Sequence, residues 1–197
     1  MFAIRMAALV LAVLSTGLIA GVFYAYAISV LPALARTGDR TLIEVMQKIN
    51  VVIINPWFMF GFLGTVGFTA LAGALHLGRD QRGTLVWIAV ALALNVIAFA
   101  VTAGVNVPLN DALAAAGDPA ALAEAASVRA DFEAAWVRWN IVRAVVHTAA
   151  FLVLCGALFA AGVQQGKSVA APADGVAGQS VSRHIGDAPY FSVNQGR

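Results

Sequence analysis

Trp136, Trp139, Asn140, Arg143 and His147 fall on one side of a helix, within an arc of roughly 100° at about 100° per residue. They belong to the stretch "WVRWNIVRAVVH", where a long apolar run begins. An imidazole and a guanidinium one turn apart can take up a proton and hold the negative charge left behind, and indole rings can stack on a flat ligand. A second polar face accompanies the stripe, because Asn95, Phe99, Thr102 and Asn106 also recur at helical spacing. Structural roles compete with chemistry here. Trp136 and Trp139 can form an interfacial belt, Arg143 can snorkel to headgroups, and Asn140 can bond a neighbouring backbone. Asn55 can cap a helix, and Asn106 or Asn110 beside Pro108 can satisfy freed backbone groups. Depth favours chemistry. Arg143 stands at the mouth of an apolar span and His147 about one turn inside, where an ionisable group is tolerated chiefly when it faces a bundle interior and has partners. The expected site is a small polar pocket at one end of a bundle, formed by Asn55, Asn95, Asn106, Asn110, Asn140, Arg143 and His147 and walled by Trp, Phe and Tyr.

The elements that must position these residues are membrane helices. The chain has 197 residues and is 61% hydrophobic, far above the roughly 45–50% of a soluble domain. Pro56–Leu75, Leu85–Gly104 and Ala144–Val163 are uncharged runs of about 20 residues, enough to cross a bilayer. Met6–Leu31 makes a fourth, longer run. Arg5 and "AYA" at Ala25–Ala27 imitate a cleavable signal, but the apolar run exceeds an h-region of about 7–15 residues. The expected fold is all-α, a four-helix transmembrane bundle with an amphipathic interfacial helix and a helical loop between helices 3 and 4. Residues 1–163 form the membrane domain, and the Gly/Ser-rich stretch 164–197 is expected to be a disordered polar tail.

Local signals refine this outline. Pro32 is expected to mark the exit of helix 1, and Pro108 to break or bend helix 3. "TGDRTLIEVMQKINVVII", residues 37–54, alternates apolar and charged positions as an interfacial helix does. Asn55 and Pro56 suit the cap and first position of helix 2, and Asp118 and Pro119 suit those of a helix running unbroken into helix 4. Gly17 with Gly21, and Gly61, Gly64, Gly67 and Gly73, predict close helix contacts.

Several function classes are excluded or weakened. A formal net charge of +2, without a basic run, argues against nucleic acid as a partner. The three histidines, His76, His147 and His184, match no metal-ligand spacing, so no metal is expected. Cys155, the single cysteine, lies in an apolar setting that suits core packing better than nucleophilic attack. No internal repeat supports a transporter. The 12 Lys and Arg divide evenly between the two sides of the membrane, so orientation rests on the acidic residues, which favour cytoplasmic termini in a multi-pass protein of the cell membrane.

"FYAYAISVLPAL", "MQKINVVIINPWFM", "NVPLND" and "WVRWNIVR", in this order, resemble the anthrone-oxygenase-like family of small membrane proteins over roughly residues 8–160. Matching positions are Asn50, Asn55, Pro56, Asn106, Pro108, Asn110, Trp139, Asn140 and Arg143. The resemblance implies oxidation of an anthrone to an anthraquinone by dioxygen, with no recognised metal or organic cofactor; most members have no assigned activity. In that chemistry an anthrone loses a proton from its central CH₂ to give a phenolate-like anion that reduces dioxygen directly. The protein must then supply a base and donors to the oxyanion. His147, placed by the stripe alone, is the expected base. Arg143 and Asn140, with Asn106 or Asn110, would hold the oxyanion, Trp136 and Trp139 would stack on the ring, and Asn55 would join the substrate-binding set. The alternative is a non-enzymatic membrane protein that binds a lipid or quinone-like ligand, or a partner subunit whose polar cluster is structural.

Overall fold

The computed structural model describes residues 2–170, with side chains to residue 167. Four helical segments are long and apolar enough to cross a membrane: Phe2–Leu34, Pro56–Leu75, Arg79–Ala115 and Ala125–Lys167. They form an all-α bundle and are called the first to fourth spans below. A three-residue 3-10 turn, Arg79–Gln81, opens the third span. Residues 2–160 make one compact unit, and residues 161–170 belong to a second. The helix that carries the fourth span continues to Ala170, and the rest of the stretch expected as a disordered tail lies outside the described residues.

Pro32 stands two residues before the end of the first span at Leu34, and Pro108 follows an altered turn of the third, but the helix runs through both. The first span changes to a π-helical turn at Tyr26–Val30 and resumes as α-helix at Leu31–Leu34, carrying Pro32. The third does the same at Thr102–Asn106 and resumes at Val107–Ala115, carrying Pro108. In both, the N–H before the proline reaches back five residues, from Leu31 to Tyr26 and from Val107 to Thr102. A proline in an α-helix clashes with the carbonyl four residues back and cannot donate to it. A wider π turn immediately before it changes that register, so the helix bends its pairing instead of ending. "YAISVLP" and "TAGVNVP" are thus two copies of one device at the same end of the bundle.

The interfacial helix, Asp39–Val52, lies between the first two spans in sequence. Its apolar residues Leu42, Ile43 and Met46 are buried with Leu31, Leu34, Leu113, Phe132 and Trp136, so its greasy face seals protein rather than lipid. Arg129 ties this end together. Its guanidinium donates to the carbonyls of Thr37 and Ala35 and to Asp39, and pairs with Glu133 at 2.6 Å. Asn55 caps the second span as expected, its side-chain oxygen accepting from the N–H groups of Trp57 and Phe58 at 3.1 Å each. Asp118 does not start the fourth helix. It closes a local turn by accepting from the N–H of Ala120 at 3.0 Å, and the helix begins at Ala125.

Close helix approach is more selective than the glycine spacing implied. A Cβ on Gly17 would stand 2.9 Å from the Phe151 ring, and one on Gly156 would meet Trp87 at 3.0 Å, whereas Gly21 and Gly67 have nothing within 4 Å.

Candidate functional site

At the end of the bundle that carries the π turns there is a cavity of about 260 Å³. Every span and the interfacial helix contribute to its wall. Phe23, Tyr26, Phe58, Phe62 and Trp136 supply aromatic surface, Ile49, Ile53 and Met59 supply aliphatic surface, and Asn50, Thr102, Asn110, Asn140 and Arg143 supply the polar groups. Its size lies near the lower edge of the roughly 300–1,000 Å³ typical of ligand pockets, which suits one compact rigid molecule.

Arg143 is almost fully buried, at 4% exposure. Its guanidinium carbon lies 4.2 Å from the centre of the Phe23 ring and 5.4 Å from that of Trp136. Its terminal nitrogens donate to Thr102 Oγ1 at 3.4 Å and to Asn140 Oδ1 at 3.3 Å, both long, and Nε has no partner. No carboxylate among the described residues pairs with it. A guanidinium has five N–H donors, so most of this group's capacity is unused. Asn140 is held from both ends, since its Nδ2 donates to the carbonyl of Phe23 at 3.1 Å while its Oδ1 accepts from Arg143. Trp136 is oriented by its indole N–H, which donates to Asn110 Oδ1 at 2.7 Å.

His147 is not in the cavity wall. It stacks on Phe23 with 5.5 Å between ring centres and belongs to a second polar group deeper in the bundle. There Asn95 Nδ2 lies within bonding distance of Thr16 Oγ1, the carbonyl of Thr65 and Thr69 Oγ1, at 3.2, 3.0 and 3.3 Å. The Thr65 carbonyl only accepts, which fixes the Asn95 amide and presents its oxygen to His147 Nδ1 at 3.2 Å. Nδ1 therefore carries the proton, and Nε2, buried and unpartnered, is left with its lone pair free. This junction links all four spans.

The remaining expected residues divide. Asn110 and Trp136 line the cavity, as do Asn140 and Arg143. Asn106 is buried with both amide atoms unpartnered, between Thr102 and Asn110 in sequence but outside the lining. Trp139 is half-buried and does not line the cavity, and the Asn55 side chain is engaged in its cap. Phe23, Tyr26 and the interfacial residues Ile49 and Asn50 enter the wall without having been singled out as site residues. Thr16, Thr65 and Thr69 join the deeper group equally unannounced, because threonine is near neutral in hydropathy and leaves no gap in an apolar run. No group of three or more His, Cys, Asp or Glu side chains comes together among the described residues.

A bundle of four helices long and apolar enough to span a membrane, closed at one end by an amphipathic helix over an aromatic cavity with a buried arginine, defines a small integral membrane protein. The chain belongs to the anthrone oxygenase family, whose profile matches residues 55–153. The match starts at the Asn55 cap and takes in the second and third spans and most of the fourth. It is narrower than the resemblance over residues 8–160 and leaves Phe23, Tyr26 and Asn50 outside. No curated protein and no solved structure matches the chain.

Proposed function

We propose that this protein oxidises a flat, phenolic, anthrone-like substrate with dioxygen in the cavity at Arg143, without a metal or organic cofactor. The observation that carries this reading is the under-used buried cation. Holding a guanidinium in an apolar bundle without a counterion is costly, and an oxyanion on a ligand supplies the missing partner. The family membership points to the same chemistry. In balance, the substrate's CH₂ becomes a carbonyl, one dioxygen is consumed and one water is released. Arg143 would stabilise the anion formed when the CH₂ loses its proton, with Asn140 and Asn110 beside it. Trp136, Phe23 and Phe62 would stack on the rings. His147, whose buried Nε2 has no partner, lies outside the cavity wall, so as the proposed base it would take the proton through a relay and not from the substrate directly.

The place of His147 behind Phe23 favours a second reading, in which the cavity binds a quinone-like or lipid ligand through Arg143 and performs no chemistry. Anaerobic and aerobic incubations of purified protein with an anthrone separate the two. Dioxygen-dependent formation of the anthraquinone above the spontaneous rate supports the oxygenase. Ligand binding without product supports the second reading. For location we propose the cell membrane, with both termini cytoplasmic.

A further inference from the structure

The polar groups of the cavity donate far more than they accept. Arg143 offers Nε with no partner and terminal nitrogens held only by long contacts. Asn110 has its oxygen engaged by Trp136, which leaves its amide nitrogen to donate. Asn140 uses both ends of its amide on Phe23 and Arg143. Asn50, on the interfacial helix, also lines the cavity, and its Nδ2 is buried without a partner. No Asp or Glu is in the wall. Buried donors in native proteins are nearly always satisfied, so an orphan amide on a residue of the cavity wall calls for an acceptor.

We infer that Asn50 is a specificity-determining residue that reads a second oxygen on the ligand. The cavity takes a flat apolar ring system with two acceptor groups, an anionic oxygen for Arg143 on the fourth span and a carbonyl or hydroxyl oxygen for Asn50 on the interfacial helix. Cations are disfavoured beside Arg143, because no carboxylate in the wall offsets its charge. This deepens the reading given under Proposed function and takes the ring shape from it, but the arrangement of donors holds whether or not turnover occurs.

Two probes test this, anthracene-2-carboxylate and anthraquinone-2-carboxylate. They share the ring skeleton and the carboxylate, differ in the ring carbonyl oxygens, and have no CH₂ to oxidise. Their affinities for the detergent-purified full chain can be followed by quenching of tryptophan fluorescence. Asn50→Leu should weaken the anthraquinone about fivefold to tenfold while changing the anthracene by no more than about twofold, as expected for loss of one hydrogen bond to a neutral group. Asn50→Gln, which keeps the donor, should recover part of the preference, and Arg143→Met should weaken both probes more than about tenfold. Equal loss for both probes in Asn50→Leu, no loss for either, or failure of the wild-type chain to bind either probe overturns the inference. A chain that discriminates in this way but leaves an anthrone unoxidised refutes the oxygenase and keeps Asn50. One that oxidises an anthrone without Asn50-dependent discrimination does the reverse.

Discussion

The Arg143 guanidinium rests on the Phe23 ring, 4.2 Å from its centre, and no carboxylate among the described residues pairs with it. The ring face is a partial substitute for a counterion, worth up to about 2 kcal/mol when desolvated, less than the several kcal/mol that burial costs the ion. Arg143 is therefore held at the expense of stability, a cost that the anion of the proposed substrate would offset.

Replacing Arg143 with Met removes that cost while filling much of the same volume. Thermal unfolding in detergent should show Arg143→Met at least as stable as the wild type, by a margin of about 1 kcal/mol, with ligand binding lost. A fall of about 2 kcal/mol would instead make Arg143 a structural member of the bundle.

Asn95 should behave in the opposite way. Its amide contacts Thr16, Thr65, Thr69 and His147. Interhelical hydrogen bonds within membranes average about 0.6 kcal/mol each, so Asn95→Leu, similar in size, should lose about 2 kcal/mol in the same unfolding measurement. A neutral result would show that the junction is dispensable.

The glycines offer a paired comparison inside one helix. Gly21→Ala meets nothing and gains helix propensity, so stability should hold or rise by up to about 1 kcal/mol. Gly17→Ala pushes a methyl into the Phe151 ring and should lose about 1 kcal/mol despite the same propensity gain. Equal effects at the two positions would contradict the close approach of the first and fourth spans at Gly17.

The spans were legible because length and apolarity suffice to mark them, and Asn55 was legible as a cap because its geometry is local. Pro32 and Pro108 marked the right places, but not that the helix continues through each by way of a π turn. A proline disrupts α-helical register, but a preceding π turn changes the register, and no composition signal marks such a turn. The stripe on the fourth span was read as one wall, yet it serves two sites. Trp136, Asn140 and Arg143 face the cavity, while His147, one turn on, meets Asn95 in the deeper junction. Which partner each residue meets depends on the other spans, and spacing along one helix does not carry that. Asn50 sat in a motif already matched to the family but gave no chemical signal by itself. Its meaning comes from the cavity beside it.

The most direct test of the proposed chemistry is dioxygen uptake by the detergent-purified protein supplied with an anthrone, beside Arg143→Ala and His147→Ala variants shown to be folded. Uptake should exceed the spontaneous rate with one dioxygen consumed per anthrone, drop to near background without Arg143, and fall clearly without His147. Wild-type uptake at the spontaneous rate, or undiminished uptake in the folded Arg143 variant, would contradict it.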